Sequence, residues 1–131
     1  MSKSLAEKLT ERELITVNEN DKLLDAINKL VKYNIGAIPV INNNKKLVGI
    51  ISERDIVKAL SNYKNKDYSI LLVNQLMTKT VISCEKEVLS DKLMELMTIN
   101  KIRHIPIVEN NAPIGIVSVS YTHLTLPTIG C

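Results

Sequence analysis

The sequence is poor in aromatic side chains, since only four of its 131 residues are aromatic and all four are tyrosine. Stacking platforms for single-stranded nucleic acid are therefore scarce, and the core must be built from aliphatic residues and methionine. A block of one charge sign is lacking too, because 17 basic and 14 acidic residues are mixed along the chain and leave a net charge of +3. We expect no nucleic-acid partner.

Cysteines and long apolar runs are also few. The two cysteines, Cys84 and Cys131, cannot build a disulfide framework, and together with His104 and His123 they lack the spacing of a metal site. The sequence shows no signal peptide and no apolar run of about 18 residues. These absences predict a cytoplasmic protein with reduced thiols, no membrane association and no bound metal.

Motifs of catalysis are missing from the sequence. It contains no P-loop, GxGxxG, HExxH or nucleophile elbow. We therefore expect no enzymatic activity and no covalently bound cofactor. With 45% hydrophobic and 24% charged residues, the composition is that of a globular protein.

The sequence contains an internal repeat. A shift of 67 residues places Pro39 over Pro106, so that GAIPVI overlies RHIPIV, and a shift of 66 then places Gly49 over Gly115. The one-residue difference falls in an Asn-rich turn, where it is easily tolerated. Each copy is too small to be stable alone, so we expect the copies to pack together.

The order of elements in each copy is predicted to be β-α-β-β-α. In copy one, residues 15–17 are β-branched and Asn20 is a candidate cap for a helix with apolar positions from Leu23 to Val31. Two β-branched runs at 37–41 and 46–51 flank the Asn turn, and Ser52 opens a helix to Leu60.

The resulting organisation has five parts. Residues 1–14 form a lead-in helix that starts at a Ser4 capping box, residues 15–60 form repeat 1, and residues 61–78 form a linker with a second lead-in, VNQLMT. Residues 79–119 form repeat 2. Residues 120–131 are rich in Thr, Pro and Gly and lack the expected final helix.

The last segment has two interpretations. SYTHLTLPT is similar to translated adaptor or vector sequence, which favours a foreign tail that begins near residue 120. The alternative is a natural divergent tail. Loss of the final helix would in either case expose apolar surface and favour dimerisation or low stability.

Four features of the sequence are typical of one family: the tandem unit, the LMT lead-in, the IPV and RHIPIV strands, and the GIISERDIVKAL ending. Together they resemble the paired CBS domain, or Bateman module. The resemblance covers roughly residues 5–119. It implies an α/β fold of two β-α-β-β-α repeats with pseudo-two-fold symmetry, the second without its final helix. It also implies a regulatory cleft for an adenosine-containing ligand such as AMP, ADP, ATP or S-adenosylmethionine, and a homodimer formed through helices.

The resemblance further implies which residues form the site. Ser52 and Asp55 match the GhhSxxD pattern, in which the acid receives ribose hydroxyls and the hydroxyl meets phosphate or sugar. The pair Arg103-His104 matches positions that reach phosphate from the partner repeat. The adenine slot is assigned to four further residues: Thr16, Val17, Ile38 and Pro39.

Several of these residues have a plainer interpretation. Ser52 and Asp55 also form a helix capping box, which needs no ligand. Arg103-His104 is also compatible with a solvated turn at a strand end, and Cys84, which aligns with Val17, is best explained as a small apolar core residue.

The sequence therefore predicts a regulatory module that senses an adenosyl ligand and acts on a partner such as an enzyme or transporter. One alternative is the sensor part of a larger enzyme such as IMP dehydrogenase. Another is a ligand-free dimerisation scaffold. Because copy two replaces the acid with Tyr121, we expect one competent site, centred on Ser52 and Asp55.

Overall fold

The computed structural model describes residues 13–63 and 67–119. The predicted lead-in helix and the C-terminal tail lie outside these residues. The chain divides into two compact units, the first running from Ile15 to Val81 and the second containing, of the described residues, 13–14 and 82–119. Across the described ranges, no helix has the length and apolar character needed to cross a bilayer.

The first unit has the predicted order of elements. It contains strand β1 (Val17–Asn18), helix α1 (Leu23–Lys32), strands β2 (Ala37–Ile41) and β3 (Leu47–Ser52), and helix α2 (Glu53–Asn62). β1 pairs in parallel with β2, and β2 pairs antiparallel with β3. A 3-10 turn (Tyr68–Ile70) and the short helix α3 (Val73–Leu76) complete the unit.

The start of α1 differs from the prediction. Asn20 is not the cap, because it lies in a turn in which its own N–H donates to Asn18 Oδ1 at 2.9 Å. The N-cap is Lys22, whose side chain makes no capping bond. The Leu23 N–H instead donates to the carbonyl of Leu71 at 2.8 Å, so a backbone group from a distant segment satisfies the helix end.

The second unit repeats this geometry as far as it is described. It contains β4 (Cys84–Glu85), α4 (Ser90–Asn100), β5 (His104–Glu109) and β6 (Ala112–Ser118), with β4 parallel and β6 antiparallel to β5. The segment after β6, from residue 120 onward, which is predicted to lack the final helix of the repeat, falls outside the described residues. The mixed α/β fold with two three-stranded sheets is thus confirmed.

The strand registers confirm the repeat residue by residue. Val17 pairs with Val40, and Cys84, 67 residues after Val17, pairs with Ile107. Both hairpins also change register directly after these β2 and β5 residues. The loops then differ: copy two turns through Asn110 and Asn111, both at positive φ, which is the pattern of a tight type I′ turn.

Each unit has its own aliphatic core, as the lack of aromatics requires. The core of the first unit includes Val17, Leu23, Ala26, Leu30, Ile38, Val40, Ile51, Leu71 and Val73. The core of the second unit consists of Leu93, Met97, Ile105, Ile107 and Val117, with Cys84 packed at its edge. Cys84, predicted to be a small apolar core residue, is half-buried and packs against this core.

The segment that leads into copy two packs on copy one. Val73 is buried, and its N–H donates to the Asp21 carbonyl at 2.9 Å. Thr78 pairs with Ile50 of β3 through two backbone hydrogen bonds of 2.8 and 3.0 Å. The lead-in VNQLMT is therefore part of the first unit, although it precedes copy two in the sequence.

Gly49 permits this close approach. A Cβ atom at this position would lie 2.6 Å from Met77 Sδ and 3.0 Å from the Thr78 carbonyl oxygen. The sulfur can move, but the carbonyl belongs to the backbone that pairs with β3. A side chain at residue 49 would therefore push the segment off the sheet.

We expect Gly49→Ala to lower the free energy of unfolding by about 1–3 kcal/mol, since overpacking at a rigid site costs that much. Urea denaturation measures the loss. In a Met77→Ala background the cost of Gly49→Ala should be smaller, because the nearest clash has been removed. An equal cost in both backgrounds would assign the clash to the Thr78 carbonyl alone, and no loss of stability in the natural background would contradict the steric explanation.

Candidate functional site

The candidate site lies where β3 passes into α2. Ser52 is the last residue of β3 and the N-cap of α2, with φ −128° and ψ 168°. Its hydroxyl oxygen accepts a hydrogen bond from the Asp55 N–H at 3.4 Å, and the Asp55 carboxylate accepts from the Ser52 N–H at 2.9 Å. The predicted capping box is confirmed.

The carboxylate of Asp55 is buried, with only 8% of the residue exposed, and it has three donors. Oδ2 accepts from both the N–H and the hydroxyl of Ser52, the latter at 3.1 Å. Oδ1 accepts from the hydroxyl of Thr78 at 3.0 Å. Since each carboxylate oxygen offers about two acceptor positions, Oδ2 is filled and Oδ1 keeps one.

Sequence reasoning did not assign Thr78 to the site. It lies 23 residues after Asp55 and was interpreted as part of a lead-in motif. The signal that could have found it is Gly49: a glycine inside a strand often marks a place where another backbone approaches closely. The segment that approaches here brings Thr78 beside the acid.

The four residues assigned to an adenine slot lie on β2 or at β1. Ile38 and Pro39 follow Ala37, the cross-strand partner of Ser52, so they lie on the strand beside the candidate site. Val17 and Ile38 belong to the core of the unit, and Pro39 is fully buried as well. Thr16 is half-buried, and its carbonyl accepts from Lys29 Nζ at 2.8 Å.

Arg103 and His104 lie in the second unit, at the start of β5. Arg103 is exposed, whereas His104 is half-buried and its Nδ1 lies 2.7 Å from the Ser118 hydroxyl on β6. Burial, with a smaller effect from the neighbouring Arg103 charge, lowers the pKa of His104 to about 4. At neutral pH this pair therefore carries one positive charge, that of Arg103.

The structure thus brings together Ser52, Asp55 and Thr78 and places the adenine-slot residues in the same unit. The position of Asp55 in copy two falls on Tyr121, outside the described residues. In copy two, Ser118 corresponds to Ser52, and its hydroxyl forms a hydrogen bond with His104 rather than with a carboxylate.

The described residues form no group of three His, Cys, Asp or Glu side chains that could hold a metal ion. Burial raises the pKa of the Cys84 thiol, against a smaller opposite effect of Lys92. Cys84 is therefore a packing thiol rather than an activated one.

Comparison with known proteins identifies the repeat. The CBS domain matches residues 6–62 and again residues 73–121. The chain belongs to the CBS domain family. Each matched range contains one of the copies found by self-comparison, and the second also includes the LMT lead-in.

The chain is similar to the CBS domain pair of protein MJ0100, solved in complex with 5-methylthioadenosine and S-adenosyl-L-methionine. That similarity has a TM-score of 0.79 and 27% identity, and it covers 98% of each chain. A CBS-domain containing protein from Agrobacterium tumefaciens gives 0.76 and 33%, over 86% of this chain and 90% of that one.

Among curated proteins, the inosine-5'-monophosphate dehydrogenase of Methanocaldococcus jannaschii is 36% identical over 115 residues. The match covers 87% of this chain but 22% of that enzyme. An uncharacterized 17.7 kDa protein of Acidianus ambivalens is 33% identical, with 66% of its length covered. The chain thus spans less than two thirds of these curated relatives.

The shifted pKa of His104 predicts a pH-dependent stability. Between pH 6.5 and about 4, the unfolded chain binds a proton at this histidine while the folded chain does not, so stability falls as the pH falls through this window. Above pH 6.5 the histidine is neutral in both states and contributes no slope. His104→Gln, which keeps a hydrogen-bonding side chain but does not titrate, should remove this part of the slope.

Urea denaturation of both proteins at several pH values from 4 to 7.5 measures the difference. Carboxylates titrate in the same range in both proteins, so the difference between them isolates His104. Parallel curves would show that the histidine titrates normally in the folded state.

Proposed function

We propose that this CBS pair is a regulatory module that binds an adenosyl ligand at the β3–α2 junction of the first unit. The observation that carries the proposal is the similarity over 98% of the chain to a CBS domain pair solved with 5-methylthioadenosine and S-adenosyl-L-methionine. The intact Ser52-x-x-Asp55 motif of copy one supports it.

The local chemistry is compatible with a ribose. A carboxylate accepts hydrogen bonds from vicinal hydroxyls, and Asp55 Oδ1 retains acceptor capacity after bonding to Thr78. Asp55 is held in place by Ser52, so little ordering entropy is lost at the acid when a ligand binds. The capping role and the ligand role of this pair are therefore compatible.

The two residues that match the family's phosphate-reaching positions bear on the ligand class. With His104 neutral at pH 7, the Arg103-His104 pair offers one cation and one hydrogen-bonding ring. The corresponding residues of copy one, Gly36 and Ala37, offer no charge. This balance favours a ligand with little negative charge, such as S-adenosylmethionine or methylthioadenosine, over AMP or ATP.

Regulation would follow from differential binding. A ligand shifts the population of arrangements only when it binds one of them more tightly than another. The chain would thus act as a sensor without catalytic activity, and its output would be read by a partner such as an enzyme or transporter in the cytoplasm.

A second candidate is the sensor part of a larger enzyme. The similarity to an IMP dehydrogenase at 36% identity, over 22% of that enzyme, favours it. In that case the ligand chemistry at Asp55 is unchanged, but the regulated activity lies elsewhere in the same polypeptide.

A third candidate is a ligand-free scaffold that forms a homodimer through its helices. Exposed apolar residues on α2, Val57 at 65% and Leu60 at 54%, favour it. Thermal shift separates it from the sensor, because a bound ligand at about 100 times its Kd stabilises a protein by about 2.7 kcal/mol. A scaffold shows no shift with any adenosyl compound.

We expect Asp55→Asn to weaken adenosyl binding by roughly tenfold or more, since hydrogen bonds to a charged acceptor are worth about 1.5–3 kcal/mol. The amide oxygen can still accept from Ser52, so the cap and the fold should survive. Calorimetric titration with S-adenosylmethionine, methylthioadenosine, AMP, adenosine and ATP measures the effect.

The matched control is Asp25→Asn, which makes the same change of charge on the exposed face of α1 in the same unit. It should leave affinity unaltered. Equal affinities of the Asp55→Asn variant and the unmodified protein would refute the assignment of Asp55, and equal binding of AMP and adenosine would argue against a phosphate contact by Arg103 or His104.

A further inference from the structure

The contact between Thr78 and Asp55 bears on how a ligand would enter the site. Thr78 belongs to the segment after α3, yet its hydroxyl donates to Asp55 Oδ1 at 3.0 Å. The other oxygen, Oδ2, already accepts two hydrogen bonds from Ser52. Oδ1 is therefore where a ligand hydroxyl must bind, and Thr78 occupies half of its capacity.

A ribose presents two adjacent hydroxyl donors, and Asp55 has one acceptor position left for them. The second hydroxyl can be accepted only if an existing donor leaves. The Ser52 hydroxyl oxygen cannot leave Oδ2, because it also accepts from the Asp55 N–H and caps α2, so it keeps a ligand oxygen from that position. Release of Thr78 disturbs no helix end.

Thr78 is well suited to give way. Thr78 is exposed, whereas the Asp55 carboxylate to which its hydroxyl donates is buried. Two backbone hydrogen bonds to Ile50 hold its main chain on β3 independently of the side chain. A rotation about χ1 would therefore move the hydroxyl away from Oδ1 while the segment stays in place.

We propose that Thr78 is a gating residue whose hydroxyl competes with the ligand's ribose for Asp55 Oδ1. The proposal rests on the adenosyl-binding function proposed above. Thr78 stabilises the ligand-free site and lowers its affinity, so the variant that removes its hydroxyl loses stability and gains affinity. A residue that merely supports the fold would lose both.

The test compares Thr78→Val with Thr78→Ser, which keeps the hydroxyl, and with Thr80→Val. Thr80 is an exposed threonine two residues away for which the described part of the structure shows no side-chain hydrogen bond. Calorimetric titration with S-adenosylmethionine and with methylthioadenosine gives affinities, and thermal denaturation without ligand gives stabilities.

We expect Thr78→Val to bind roughly three- to tenfold more tightly than the unmodified protein, the effect of one net hydrogen bond. Without ligand, its melting temperature should be a few degrees lower. Thr78→Ser and Thr80→Val should match the unmodified protein in affinity. Binding that is detectable only in Thr78→Val would support the gate most directly.

Other outcomes overturn the proposal in distinguishable ways. If the unmodified protein binds and Thr78→Val binds equally or more weakly, the gate is refuted while the adenosyl site stands. If neither protein binds any of the five adenosyl compounds titrated above, the proposed function fails and the gate with it.

Discussion

The buried carboxylate of Asp55 is the constraint on which the candidate site depends. An acid with 8% exposure is stable only if its oxygens are hydrogen-bonded, and here the donors come from the end of β3 and from the segment after α3. The same carboxylate therefore caps a helix, joins two segments and offers its remaining acceptor position to solvent or ligand.

A second constraint, the close approach at Gly49, makes the third donor available. Because residue 49 has no Cβ, Met77 and Thr78 can lie directly on β3, where Thr78 pairs with Ile50. Only in this position does the Thr78 hydroxyl reach Asp55. The glycine of the GIISERD motif thus acts on the acid indirectly, through a segment that begins more than twenty residues later in the sequence.

How much the sequence predicts depends on how local each interaction is. The start of α2 was predicted correctly because its cap is formed within three residues, Ser52 to Asp55. The one-residue difference between the copies was correctly placed in the hairpin turn because two copies could be compared. In both cases the information lies within one element or within the repeat.

The predictions that failed, or were never made, involve distant partners or burial. Asn20 was the better local cap for α1, but the Leu71 carbonyl supplies the hydrogen bond at that helix end and the helix begins later. Thr78 was not assigned to the site because its contact with Asp55 joins segments that are distant in the sequence. Arg103-His104 reads as a basic pair in sequence, whereas burial lowers the pKa of the histidine to about 4, so that it stays neutral well below neutral pH.

The equivalent serines of the two copies form different hydrogen bonds. In copy one Ser52 pairs with an acid, whereas in copy two Ser118 pairs with His104, which occupies the position of Ala37. A neutral imidazole beside a serine satisfies the hydroxyl but supplies no negative charge to receive a ribose. The difference lies at one strand position. Residue 37 is alanine and Ser52 bonds to Asp55, whereas the equivalent residue in copy two is His104, which bonds to Ser118. Among the described residues, the two copies therefore differ chemically at this strand position.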